Sequence, residues 1–243
     1  MTAREIGAAP DGRPVVTYLR GVREGRPWAD LLEVVGPDPV GYVLTQLRGW
    51  VVSGPVELGE ALLREGAVAL RHAHTMRGAA VQVGAAVQVG VALPDGCHAA
   101  PCDRPAAEVF PAWRAAFPPG HPDHYAGGDE QALAERLGPL LSGGLLGPVL
   151  PSSRLAVGPD GQVVAGAVLT DRGGQPFVAE VFRDPARSAR GLGRALLRLA
   201  LAGAATDGVA AVELVVSAAN PARAVYESLG FTVTDTALTV IVP

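Results

Sequence analysis

The clearest pattern of apolar and polar positions lies after residue 150. "SRLAVGPDGQVVAGAVLT", Ser153 to Thr170, places two short valine-rich runs on either side of the turn sequence "GPDG", and "PFVAEVF", Pro176 to Phe182, adds a third run. This spacing predicts a three-strand meander. From Leu192 the period changes. Leu192, Leu196, Leu199 and Ala202 recur at helical intervals until Asp207-Gly208, which predicts a helix with one inward face. "AAVELVVS", Ala210 to Ser217, is apolar enough for a buried strand. Asn220 and Pro221 suit the cap and first turn of a helix over "PARAVYESL", which Gly230 ends, and "LTVIV" closes the chain as a last strand.

The middle of the chain is less regular. "AAVQVGAAVQVGVAL", Ala79 to Leu93, repeats a six-residue unit, and an even repeat keeps Val81, Val83, Val87, Val89 and Val91 on one side of a strand. It is expected to open a C-terminal domain, followed by helices over "PAAEVFPAWRAAF" and "DEQALAERLGPLL". The segment "PPGHPDHYAGG" between them reads as an ordered loop or a lid. Residues 1–78 read as a separate small α/β unit. "RPVVTYL", "VGYVLTQL" and "AVALRHAHTM" have strand character there, and "VELGEALLREG" has helix character. The expected division is therefore 1–78 and 79–243.

Composition narrows the chemistry. With 243 residues, 49% of them hydrophobic, the chain can bury a real core, and a net charge of -4 argues against nucleic acid or an anionic membrane as partner. All 20 basic side chains are arginine. A GxxxxGK[ST] phosphate loop and a Schiff-base lysine therefore both lack their ammonium group. "MTAREIGAAPDGRP" has no apolar core of signal-peptide type, so a cytoplasmic location is expected. Cys97 and Cys102, in "CHAAPC", fit neither a CxxC redox pair nor a zinc site, and they read as reduced thiols.

The stretch "RSARGLGRALL", Arg187 to Leu197, joins arginines and glycines to the start of the Leu192 helix. A helix N-terminus has unpaired N–H groups and partial positive charge, and glycine lets backbone approach an anion closely. By itself the stretch reads as a tight strand-to-helix connection with solvated arginines rather than a phosphate site. A dinucleotide fingerprint needs a third glycine, where this chain has Leu196. The second element, "SAANPARAVYESLGF", follows at the distance of one helix and one strand. Together the two resemble the GNAT family of acyl-CoA N-acyltransferases, and the shared element order runs from about Val87 to Val242.

That resemblance implies an α/β fold: a mixed, mostly antiparallel sheet flanked by helices. The smaller N-terminal unit would then be either a degenerate half of the same fold or a dimerisation and acceptor-binding module. The resemblance also implies acetyl-CoA as cosubstrate, with no metal. Its pyrophosphate would lie against Arg187, Ser188, Ala189, Arg190, Gly191, Leu192, Gly193, Arg194 and Ala195, with Asn220 near the pantetheine. Ser188 departs from the family's usual Arg or Gln, which leaves Arg187 to compensate. Backbone groups of Val181 and Phe182 would pair with the pantetheine and polarise the acyl carbonyl.

An amine attacking a thioester must be neutral, and the departing thiolate needs a proton or a hydrogen bond. The family pattern gives the second role to Tyr226; otherwise Tyr226 is a core residue. Glu180, a carboxylate within an apolar strand, is the candidate general base, against the reading of a solvated or arginine-paired glutamate. His72 and His74 share a strand face and His121 and His124 flank Asp123, yet neither pair has a recognised metal spacing. "HPDHY" is a candidate acceptor-pocket lining. The expected activity is acetyl transfer to a small-molecule or peptide amine, and the alternative is a CoA-binding sensor without turnover.

Overall fold

The computed structural model describes residues 4–23, 25–80, 93–94 and 96–243. They form two units. The first comprises Met1–Thr75, Ser217–Ala219 and Val233–Pro243, and the second Met76–Val216 and Asn220–Thr232. In the first unit β1 (Arg4–Ala8), β2 (Pro14–Arg23) and β3 (Arg26–Val34) form an antiparallel meander. Then follow α1 (Pro39–Gln46), β4 (Val51–Pro55), α2 (Val56–Arg64) and β5 (Val68–Ala79), whose last residues belong to the second unit. β4 runs parallel to β3, registering at Trp28 with Val51 and Ala29 with Val52.

One predicted strand is a helix. "VGYVLTQL" lies in α1, although its valines favour a strand, because the residues just before it build a helix start. Asp38 adopts φ 53°, its carboxylate accepts the Gly41 N–H at 3.1 Å, and Pro39 fills the first turn. Val43 and Leu47, four residues apart, then face the core together.

The second unit contains β6 (His98–Pro101) and α3 (Ala106–Ala116). A helical stretch follows, made of α4 (Asp129–Ala132), a π-helical turn (Leu133–Leu137) and α5 (Gly138–Leu141). The predicted meander is β7 (Arg154–Val157), β8 (Val163–Asp171) and β9 (Pro176–Arg183). It continues into α6 (Leu192–Thr206), β10 (Ala211–Ser217) and α7 (Ala222–Ser228), each within a few residues of its predicted place. The strand order is β10-β9-β8-β7-β6. Leu192, Leu196, Leu197 and Leu201 of α6 pack with Leu169, Val178 and Leu214. Val109 and Trp113 of α3 cover the other face with Leu155, Val168 and Phe182. The valine repeat of residues 79–93 lies almost wholly outside the described residues; Ala80 is buried and bonds Ala210 O at 3.0 Å.

The two halves of the sequence repeat one element order. Each runs as three antiparallel strands, a helix, a strand parallel to the third, a helix and a last strand, which for the second half is β11 (Thr232–Ile241). The detail repeats as well. The helix that follows the parallel strand ends alike in both: Gly66 N–H to Leu63 O and Ala67 N–H to Leu62 O match Gly230 N–H to Glu227 O and Phe231 N–H to Tyr226 O. Gly66 and Gly230 both take positive φ there. The final strands group crosswise. β11 pairs antiparallel with β4, from Val51 opposite Ile241 to Pro55 opposite Ala237, while Met76–Ala79 at the end of β5 belongs with the second unit. The N-terminal unit thus carries the half-fold that the resemblance allowed, as part of a mixed, mostly antiparallel architecture. No described helix is long and apolar enough to cross a membrane.

Candidate active site

Glu180 owes its direction to an irregularity in β9. Val168 of β8 registers with Glu180 but the next residue, Leu169, registers with Val178, so Ala179 is an extra residue. Such a bulge turns two successive side chains to one face. Ala179 packs with the α3 cluster while Val178 and Val181 pack with the α6 cluster, and Glu180 meets Arg136 and Trp113 on the α3 side. Its side chain is 12% exposed, with Oε1 3.4 Å from Arg136 Nη2 on the π-helical turn. Burial pushes the Glu180 carboxyl above the ordinary carboxylate range; Arg136 opposes that shift and the Asp123 charge adds to it. The buried indole N–H of Trp113 has no full hydrogen-bond partner among the described residues, but it lies near enough to favour the ionised carboxylate.

β9 and β10 are parallel yet register at one pair only, Phe177 with Glu213. From Val178 onward no described β10 residue pairs with β9, so the strand's backbone edge beside Val181 and Phe182 is available to an extended ligand. Phe182 itself is buried against Gly166, where its ring occupies the space of a Cβ.

The loop after β9 leads to α6. Gly191 holds φ 93° at the helix cap, a conformation that favours glycine, and no side chain caps the helix. A Cβ at Gly193 would meet only Val181 Cγ1 at 3.5 Å, an ordinary contact. The fold does not require glycine at 193, whereas close approach of a ligand to the backbone does. Leu192 N–H bonds Ala189 O at 3.4 Å and Ala195 N–H bonds Gly191 O at 2.9 Å, the first helical bond. Arg190 and Arg194 are exposed, with no ion pair among the described residues. Arg187 is differently placed. It pairs with Asp160 and reaches Gln162 Oε1 at 3.3 Å, so its guanidinium is engaged by the turn between β7 and β8. Ser188 is also engaged. Its hydroxyl donates to Asp184 O at 2.6 Å and its carbonyl accepts from Arg183 Nη1 at 2.8 Å.

Tyr226 lies on α7, partly buried against the α6 cluster and edge-on to Phe231 with ring centroids 6.0 Å apart. Burial raises its phenol above the ordinary value, and the charges of Glu180 and Asp123 raise it further. The Tyr226 hydroxyl has no hydrogen-bond partner among the described residues. Asn220 starts α7: Oδ1 accepts the Ala222 N–H at 2.8 Å and Nδ2 donates to Asp123 Oδ2 at 2.6 Å. Much of the Asn220 amide is therefore committed within the protein.

The second unit thus brings Glu180 and Tyr226 near each other, with Asp123, Arg136 and Trp113 around them. The sequence marked Asp123 only as the residue between two histidines and Trp113 only as part of the α3 helix stretch. Arg136 carried no signal, because a π-helical turn is not legible in side-chain spacing. The "HPDH" segment is an ordered loop: His124 Nδ1 lies 2.7 Å from Phe117 O, and the Asp123 N–H donates to His121 Nδ1 at 3.1 Å. His72 and His74 lie side by side with ring centroids 5.3 Å apart, and His74 Nδ1 is 2.9 Å from Thr236 Oγ1. No group of three or more His, Cys, Asp or Glu suited to a metal ion occurs among the described residues.

The second unit is a mixed sheet with a parting parallel strand pair and an uncapped helix start reached through glycine, and unpaired N–H groups at such a start can accept an anion. Residues 151–233 match the family model described as the acetyltransferase (GNAT) domain. A search of curated proteins returns no match. Among solved structures, a GCN5-related N-acetyltransferase from Sphaerobacter thermophilus is similar at 17% identity and TM-score 0.61, covering 98% of this chain and 80% of that one. One from Kribbella flavida is similar at 17% identity and TM-score 0.60, over 100% and 90%. A tandem GNAT protein from the clavulanic acid biosynthesis pathway reaches 16% identity and TM-score 0.59, over 96% and 80%. These likenesses establish the fold along the whole chain, including its N-terminal half.

Proposed function

We propose that the chain transfers an acetyl group from acetyl-CoA to the nitrogen of an amine, in a small molecule or peptide, by direct attack in a ternary complex. The observation that carries this reading is a buried carboxylate, Glu180, on the strand that parts from β10, with the Tyr226 phenol within range of its charge. Glu180 accepts a proton from the attacking nitrogen as the N–C bond forms, and its raised affinity for protons suits that task. The C–S bond then breaks with its electron pair leaving on sulfur. Tyr226 donates a hydrogen bond to that sulfur; with a phenol held above its ordinary value it keeps its own proton, and the thiolate is protonated from solvent.

Backbone groups of Val181 and Phe182 would pair with the pantetheine and polarise the carbonyl. The start of α6 would take the pyrophosphate through backbone N–H groups at Gly193 and Arg194, with Arg190 and Arg194 supplying charge. The pairing of Glu180 with Arg136 favours the second reading, a CoA-binding sensor without turnover, because it ties up the candidate base.

Two measurements separate the readings. Acetyl-CoA at 100 times its Kd should stabilise the chain by about 2.7 kcal/mol and raise its Tm; no shift removes both. Thiol release in the presence of a panel of amines supports transfer, and binding without release supports the sensor. On an identified acceptor, Tyr226→Phe should lower kcat ~10²- to 10³-fold, the cost of losing one donor to developing negative charge, and full turnover in that variant would remove the role given to the phenol.

A further inference from the structure

The loop joining α3 to α4 is tied at several points. The Arg114 guanidinium donates to Tyr125 O at 2.9 Å and Gly127 O at 3.2 Å, and pairs with Asp129 at 2.9 Å. The Tyr125 hydroxyl donates to Glu135 Oε2 at 2.8 Å, and the His121 ring lies edge-on to Phe117, centroids 5.1 Å apart. Asp123 projects from this anchored loop to accept the 2.6 Å bond from Asn220, a residue 9% exposed and 97 positions away in sequence. The same Asn220 side chain accepts the N–H of Ala222, the first residue of α7, and Tyr226 stands four residues further on. A helix this short has little stability of its own, so its setting depends on such ties.

We propose that Asp123 is a positioning residue: acting through Asn220, it locks the first turn of α7 to the loop and so fixes where the Tyr226 hydroxyl points. The inference rests on the transferase reading only for its kinetic consequence. Asp123 also acts by charge. The groups facing Glu180 are Arg136 from the π-helical turn, Asp123 from this loop, Tyr226 from α7 and the Trp113 indole from α3. Asp123 is the carboxylate among them that opposes ionisation of Glu180.

The test compares Asp123→Ala, which removes bond and charge, with Asp123→Asn, whose side-chain oxygen still accepts from Asn220. Asn220→Ser withdraws the bond from the other end and keeps a capping oxygen. Hydrogen exchange of residues 222–228 should quicken ~10-fold or more in Asp123→Ala and Asn220→Ser, and stay near wild type in Asp123→Asn. In turnover, Asp123→Ala should lose about 10- to 100-fold in kcat with little change in KM for acetyl-CoA. Asp123→Asn should keep most of kcat but move the acid limb of the pH profile to lower pH. Unchanged exchange in both Asp123→Ala and Asn220→Ser would overturn the proposal, as would Asp123→Asn loosening α7 as much as Asp123→Ala. Wild-type protein that releases no thiol would sink the transferase reading alone, because the exchange comparison is read without turnover.

Discussion

Glu180 shows what a buried carboxylate costs its fold. Its folded pKa lies above the ordinary value of 4.5, so the folded chain holds that proton more tightly than the unfolded chain does. Linkage then makes the contribution of this residue to stability fall as pH rises from the unfolded value through the raised one, and stay low above it. Glu180→Gln removes that cost. The variant should melt at or above the wild-type temperature at neutral pH, the gap closing near pH 4 in a pH-resolved Tm series, while turnover drops ~10²- to 10⁴-fold. A variant less stable than wild type at neutral pH would mean that the Arg136 pair outweighs burial. Arg136→Gln acts oppositely on the titration. It removes the group that favours ionisation, so the acid limb of the rate profile should move to higher pH. The charge in "VAEVF" was visible in sequence, but its partner was not, since Arg136 and Glu180 are 44 positions apart and meet only through tertiary packing.

At the level of elements, the two half-folds differ at the positions that form the candidate site. Where α6 begins at Gly191, α1 begins at Asp38, and both take positive φ. The carboxylate of Asp38 already occupies the first turn of α1, bonded to the Gly41 N–H, where an anionic ligand would have to sit. Like β9, β3 is bulged, with Thr17 opposite Glu33 and Leu19 opposite Asp30, but Leu31 and Leu32 stand at the irregularity. Leu62, fully buried, takes the helix position of Tyr226. Titration with acetyl-CoA should therefore saturate at about one molecule per chain by mass action, and a second equivalent bound in the N-terminal unit would contradict this. Most of the C-terminal order was legible because β7 to α7 join near neighbours through turns marked by Gly, Pro and Asp. The bulge at Ala179 was not, because it is a register choice between strands and leaves no trace in side-chain alternation. α1 was misread because the valines of "VGYVLTQL" outweighed the cap at Asp38 in a propensity reading.

For the molecule as a whole, the order of the chain and the grouping of its strands differ. A division between residues 78 and 79 follows the sequence pattern, yet Val233–Pro243 fold with the first unit. There β11 supplies Leu238, Val240 and Val242, at 8%, 0% and 1% exposure, to the core that also holds Val52 and Leu62. Leu238 lies so close to Gly59 that an added Cβ there would sit 2.7 Å from its side chain, and hence α2 closes directly over the strand. Each such side chain contributes about 1.5–3 kcal/mol on burial, so three of them rival the 5–15 kcal/mol net stability of a typical domain. Ending the chain at Thr232 should abolish cooperative melting of the N-terminal unit and expose β4 and α2 to rapid hydrogen exchange. Leu238→Ala alone should cost about 2–5 kcal/mol. A chain ending at Thr232 that keeps native protection in residues 51–64 would show that the N-terminal half folds on its own sequence, and that β11 merely covers it.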